Sequence, residues 1–288
     1  MMFNFADSWK AKLERLVNVS AASKLTDEQF IVKEIKRFKN SQRRKEMLDG
    51  ERYFDGRIAG IPAVLYGEVS DNIVLYLHGK YGRKEEALTL APVLQETGWQ
   101  VLAVDLPEHG QRAGDENDLS ASGARKECLP WVAIAEWQEV MRWIKARYTK
   151  IAFCAVSMSA WFLMRTFRFE GFDRCLFISP IVDMRLVIED RMREAGVTAS
   201  DLGWKQFLPD AHGEMLIWDY YAYAAYQPIN RWDTPTEILY ARGDALQPEE
   251  TMTSFAARFG CGLTMIDGEH YIPLDTPVLQ EWVREKMQ

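Results

Sequence analysis

The stretch Ile151-Ala-Phe-Cys-Ala-Val-Ser157-Met-Ser-Ala-Trp161 is a short apolar strand that stops at a serine among small residues and turns at once into a helical pattern. A turn this sharp strains the serine backbone. Strand and helix pass so closely there that the positions two residues either side must be small. Ala155 and Ser159 meet that demand. Apolar strands followed by serine are common, so Ser157 gains meaning only from the rest of the chain.

Further short, nearly continuous apolar runs flank it: Ile73–Leu77, Val101–Val104, Cys175–Ile178, Glu237–Tyr240 and Gly262–Ile266. Apolarity without alternation means burial on both faces, as in a parallel sheet covered by helices. The stretches 87–97, 134–144, 159–167 and 249–259 carry helical spacing. Strand and helix therefore alternate, which predicts an α/β fold with a mostly parallel, doubly wound sheet and helices on both faces. Before it, 52–68 reads as an antiparallel hairpin turning at Ala59-Gly60. Residues 1–50 read as a helical segment, with Thr26 and Gln29 forming a capping box and Phe30, Ile31, Ile35 and Phe38 at helical spacing. That segment could mediate a homo-oligomer or cover a sheet edge.

One connection is too long for a simple crossover. Residues 183–235 are helical in parts and rich in aromatic residues, and an insertion of that length in a compact domain has a role of its own. It is expected to be a helical cap, leaving 51–182 and 236–288 as the core. Most of its rings should pack the cap itself, with Trp218 and Tyr221 as candidates to line an acyl pocket.

The chain has 288 residues, 48% apolar and 27% charged, with a formal charge of −7. That acidity argues against a nucleic-acid partner, since phosphate binding needs a basic surface. The one basic cluster, from Lys33 to Lys45, reads as a solvated helix face. Cys128, Cys154, Cys175 and Cys261 have neither zinc spacing nor the pattern of a disulfide framework. No leader and no membrane-spanning apolar run stands out, so a cytoplasmic protein without a membrane partner is expected.

Ligands of an open parallel sheet bind beyond the carboxyl ends of its strands. His78-Gly79-Lys80-Tyr81-Gly82, Asp105-Leu-Pro-Glu-His109-Gly110, Ser157, Asp183, Asp244 and His270 each follow one of the runs. A serine hydroxyl is a poor nucleophile near neutral pH, so acyl transfer needs an imidazole to take its proton and a carboxylate to orient that imidazole. Ser157, Asp244 and His270 supply those types. Asp183 competes with Asp244 for the acid's place, and Ser159 with Ser157 for the nucleophile's. The glycine before Asp244 and Pro248 after it favour Asp244, while bulky Trp161 disfavours Ser159. His78 is expected to brace the loop it begins, and His109 to line the mouth of the site.

These segments together resemble the α/β-hydrolase family from about residue 50 to the end. The resemblance rests on His78-Gly79, the Asp105-Leu-Pro-Glu-His109-Gly110 segment, the Ala155-Val-Ser157-Met-Ser159 elbow, Gly243-Asp244-Ala-Leu-Gln-Pro248 and Gly268-Glu-His270. It implies Ser157 as nucleophile, His270 as general base and then acid, and Asp244 as the orienting carboxylate. It further implies an oxyanion hole from the backbone N–H groups of Lys80 and Met158, with Tyr81 near the substrate. Small-molecule esters are the implied substrates, water the second reactant, and no metal or organic cofactor is called for. Thioesters and amides remain open, as does a non-catalytic binding role. A histidine that must be neutral to act predicts a rate that falls as pH drops through about 6 to 7. The pattern departs from the family in lacking both elbow glycines and in having Glu108 where glycine is frequent.

Overall fold

Asn72–Leu77 (β3) is apolar at successive positions because both its faces are covered. In the computed structural model, which describes residues 53–113 and 127–288, β3 pairs in parallel with Gln100–Val104 (β4) on one side and Lys150–Val156 (β5) on the other. Tyr53–Ile58 (β1) and Ile61–Tyr66 (β2) form the expected antiparallel hairpin, with Ile58 opposite Ile61. Arg174–Ile178 (β6), Thr236–Ala241 (β9) and Gly262–Ile266 (β10) complete an eight-stranded sheet in the order β1-β2-β4-β3-β5-β6-β9-β10. The strands from β4 to β10 in that order run parallel; β2 meets β4 antiparallel.

Helices cover both faces. Tyr76 and Cys154 face Ala87–Glu96 (α1) and Pro277–Met287 (α8) in one continuous apolar cluster with Leu90, Leu94, Leu279 and Trp282. Phe153, one position along β5, points the other way and stacks on Phe167 of Met158–Phe167 (α3). There α3 packs against Pro130–Lys145 (α2), where Trp137 meets Phe162. Glu249–Phe259 (α7) leads into β10 and ends at Gly260 in the left-handed conformation.

Between β6 and β9 the chain forms Met184–Glu194 (α4), Ala199–Lys205 (α5), a small hairpin of Phe207–Pro209 (β7) and Met215–Ile217 (β8), and Trp218–Tyr226 (α6). Tyr220 and Tyr223 of α6 pack edge-on against Trp131 of α2, and both also meet Trp161 of α3. These aromatic contacts seat the inserted segment on the core helices. The helical segment expected over 1–50, its Thr26–Gln29 capping box and the Lys33–Lys45 cluster lie outside the described residues. Among the described residues no helix is long and apolar enough to cross a membrane.

Candidate active site

The order in which strands are added to the sheet reverses between the parallel strands β3 and β5: β3 is followed by β4 on one side, and β5 by β6 on the other. In open α/β sheets that crevice, beyond the strand ends, is where ligands bind. The loop after β3 begins there with His78, and β5 ends there at Ser157.

Ser157 has φ 53° and ψ −123°, a strained conformation for a residue with a side chain. The sequence supports it by keeping its neighbours small. Ala155 and Ser159 are fully buried, standing where glycines are frequent. Ser159, the rival hydroxyl, donates to the carbonyl oxygen of His78 at 2.5 Å, so it fastens the serine turn to the β3 loop. Gly79 makes the same approach from the other side. A Cβ there would lie 3.3 Å from Ser157 Cβ, tighter than ordinary packing.

The structure brings Ser157, His270 and Asp244 into one chain of hydrogen bonds. His270 Nε2 lies 2.8 Å from Ser157 Oγ, and Nδ1 lies 2.7 Å from Asp244 Oδ2. The other carboxylate oxygen of Asp244 accepts the backbone N–H groups of Leu246 and Gln247 at 2.8 and 3.2 Å. Asp244 is buried, whereas the His270 side chain keeps 22% of its surface in solvent. An imidazole so placed can accept a proton from the hydroxyl while its Nδ1–H donates to the carboxylate. The acid and histidine loops touch because Gly243 N–H donates to Gly268 O at 2.8 Å, where any Cβ on Gly243 would sit 2.5 Å from that oxygen. Asp183 caps α4, accepting from Arg185 N–H at 3.0 Å.

His78 is fully buried. Leu106 N–H donates to its Nε2 at 3.1 Å, which makes Nδ1 the protonated nitrogen, donating to Gly79 O at 2.8 Å. Burial holds its pKa down at about 3, so the ring is neutral and its 3.9 Å approach to Asp105 is no ion pair. Asp105 instead organises backbone, accepting from Lys84 N–H at 2.8 Å and Gln111 N–H at 2.9 Å. Glu108 takes φ 61°, which explains why glycine is at home in that position. His109 is buried beside His78, with ring centroids 5.5 Å apart, and burial lowers its pKa too. It is 8% exposed, and its Nδ1 lies 2.8 Å from Pro107 O.

Met158 N–H is the first amide of α3, a position without an acceptor inside the helix. Lys80 and Tyr81 form the tip of a turn closed by Gly82 N–H to Gly79 O at 3.1 Å. Both side chains reach Glu214 of the inserted segment. Trp218 and Tyr221 have their described contacts within that segment: their rings meet 5.8 Å apart, Gly203 packs on Trp218, and the Tyr221 hydroxyl donates to Glu189 at 3.1 Å.

Several residues of this region carried no signal in the sequence. Gln247 is fully buried; its Oε1 accepts the N–H groups of Val182 and Asp183, both at 2.9 Å, and ties the acid loop to the end of β6. Glu127, Arg191, Asp210 and Glu214 join Lys80 in an ion network. Burial alone would raise the carboxyl pKa values of Asp210 and Glu214. Backbone N–H groups and Arg191 at Asp210, and Lys80 with Tyr81 at Glu214, outweigh it and hold both below the usual range. Among the described residues no group of His, Cys, Asp and Glu side chains could hold a metal.

No protein-family model matches the chain, and no curated protein matches it. Solved structures do. Est1E from Butyrivibrio proteoclasticus, with ferulic acid bound, superposes with a TM-score of 0.62 at 19% identity, over 81% of this chain and 97% of that one. The Pyrococcus furiosus esterase Pf2001 gives 0.56 at 18% identity, covering 82% and 91%. The thioesterase domain from the curacin biosynthetic pathway gives 0.50 at 14%, covering 82% and 99%. With the strand order and the strained serine, these likenesses define the fold: this chain has the α/β-hydrolase fold.

Proposed function

We propose that the chain is a serine hydrolase that cleaves a carboxylic ester through an acyl-enzyme on Ser157. The observation that carries this reading is the hydrogen-bond chain from Ser157 Oγ through His270 to the buried carboxylate of Asp244. His270 Nε2 takes the hydroxyl proton as Oγ adds to the ester carbonyl, and the carbonyl oxygen becomes an oxyanion. The N–H groups of Met158 and Lys80 are the donors for that oxyanion; losing one such donor costs about 10²–10³ in rate. Collapse of the tetrahedral adduct breaks the carbon–oxygen bond, and His270 returns the proton to the leaving alcohol. Water then repeats the sequence on the acyl-enzyme, with His270 as base and then acid, and frees the carboxylic acid.

Asp244 serves this cycle by fixing the imidazole with Nδ1 protonated and Nε2 free to accept. The inserted segment 183–235 is read as a cap, supported by its tie to Lys80 and Tyr81 beside the serine. Esterase Pf2001 and Est1E with its bound ferulic acid favour an ester; the curacin thioesterase domain keeps a thioester in play. A panel of p-nitrophenyl esters, acyl-CoA thioesters and aminoacyl amides tests the reading. Turnover of esters is expected, and activity confined to amides would overturn it.

A further inference from the structure

The charged cluster around Glu214 takes no part in the proton transfers above, yet it joins four separate stretches of chain. Lys80 and Tyr81 come from the loop after β3, Glu127 from the stretch before α2, Arg191 from α4, and Asp210 and Glu214 from the β7–β8 hairpin. Glu214 accepts from the Lys80 ammonium and from the Tyr81 hydroxyl, and one of its oxygens lies 3.3 Å from Arg191 Nη2. Glu127 sits 2.8 Å from the same nitrogen and 3.7 Å from Lys80 Nζ. Arg191 Nε donates to Asp210 at 2.8 Å.

Exposed ion pairs contribute little to a structure. This cluster differs because Asp210 and Glu214 are each only 8% exposed, so removing a partner leaves a charge out of water and unpaired. Its location is also particular. Lys80 directly follows Gly79, the residue pressed against Ser157. Tyr81 has φ 63°, in the left-handed region that an aromatic residue enters only when held there. The residue is 72% exposed; the turn's own bond from Gly82 N–H to Gly79 O and the Lys80 ammonium 5.4 Å from its ring are local, and the hydroxyl's bond to Glu214 is the contact that ties it to the inserted segment.

We infer that Glu214 is a positioning residue for acyl transfer, reaching from the inserted segment to grip Lys80 and Tyr81 and so fixing the turn whose Lys80 N–H is the proposed oxyanion donor. The inference rests on the hydrolase reading and adds a task for the inserted segment: seating the β7–β8 hairpin stiffens the oxyanion side of the site. A donor displaced by a fraction of an ångström stabilises the transition state less while the ground-state ester binds nearly as before.

The test compares wild type with Glu214→Gln, Tyr81→Phe and the Lys80→Met/Glu214→Gln double variant on a p-nitrophenyl ester, each rate normalised to active sites titrated with a fluorophosphonate. For Glu214→Gln, kcat is expected to fall about tenfold or more, with KM within about twofold. Tyr81→Phe, which keeps every charge and so guards against a failure to fold, is expected to lose kcat in the same sense. With Lys80→Met measured alongside, the double variant should be no worse than the poorer of Lys80→Met and Glu214→Gln alone, because both cut one strut. A merely structural role would lower the melting temperature and the titratable fraction and leave kcat per site intact. Wild-type kcat in folded Glu214→Gln and Tyr81→Phe, from an active parent, would overturn this inference alone. A folded parent that neither turns over esters nor labels at Ser157 would overturn it together with the hydrolase reading.

Discussion

Ser157, His270 and Asp244 are 113 and 26 residues apart along the chain, and they meet because each follows a parallel strand at the same end of the sheet. That meeting was legible in the sequence: an apolar run stopping at a serine, a glycine before an aspartate, and a histidine after the last run all mark strand ends. Both Asp244 and Asp183 follow strands, and the glycine before Asp244 with Pro248 after it favoured Asp244; in the structure Asp244 faces the imidazole and Asp183 caps α4. Ser159 was legible as a small neighbour and as a disfavoured rival nucleophile; its bond to His78 O was not, because that depends on two loops converging. If Asp244 orients His270, Asp244→Asn should leave the fold intact and lower kcat by about ten-thousandfold, since an amide favours the wrong tautomer. Steady-state kinetics with a circular-dichroism check of the fold measures this, and a loss under tenfold would remove Asp244 from its assigned role.

Strands and crossover helices could be read because their cause is local: continuous apolarity for buried strands, helical spacing for the covering layers. The loops that build the site are set by contacts between elements, which local sequence does not encode. Gly243 shows this well. As a residue before an aspartate it looks like an ordinary turn glycine, but its lack of a side chain lets the loop after β9 press on Gly268 after β10. Gly243→Val should force those loops apart and lengthen the contact between Asp244 and His270. The expected result is a fall in kcat of about a hundredfold or more, with a melting point lowered by only a few degrees. Unchanged kcat in the folded variant would show that the two loops need not touch. The same blindness hid the Glu214 network, whose members come from stretches with no common pattern.

At the scale of the molecule, acid should weaken this fold over two successive pH ranges. His78 stays neutral when folded, with a pKa near 3, but takes a proton near pH 6.5 once unfolded. Between those values the unfolded state binds more protons, so stability falls as pH drops below about 6.5, by about 1.4 kcal/mol per pH unit for a single group. His109, also lowered by burial, acts in the same direction. Asp210 and Glu214, held below the usual carboxylate range when folded, add stability above about pH 4.5 that is lost as pH falls further. Stability from urea unfolding followed from pH 7.5 to 4 should therefore slope downward from about 6.5, above the range in which Asp210 and Glu214 lose their contribution. His78→Gln should flatten that upper limb whatever it does to the stability at pH 7.5. An unchanged slope in the variant would mean that His78 does not carry it.

Every step proposed here passes through one activated hydroxyl. Incubation of the folded protein with a fluorophosphonate, followed by peptide mass spectrometry, probes that hydroxyl without any assumption about the natural ester. A single adduct on Ser157 is expected, absent from Ser157→Ala, retained in Ser159→Ala and slowed by orders of magnitude in His270→Ala. A folded wild-type chain that stays unlabelled, or one that labels equally well without Ser157, would contradict it.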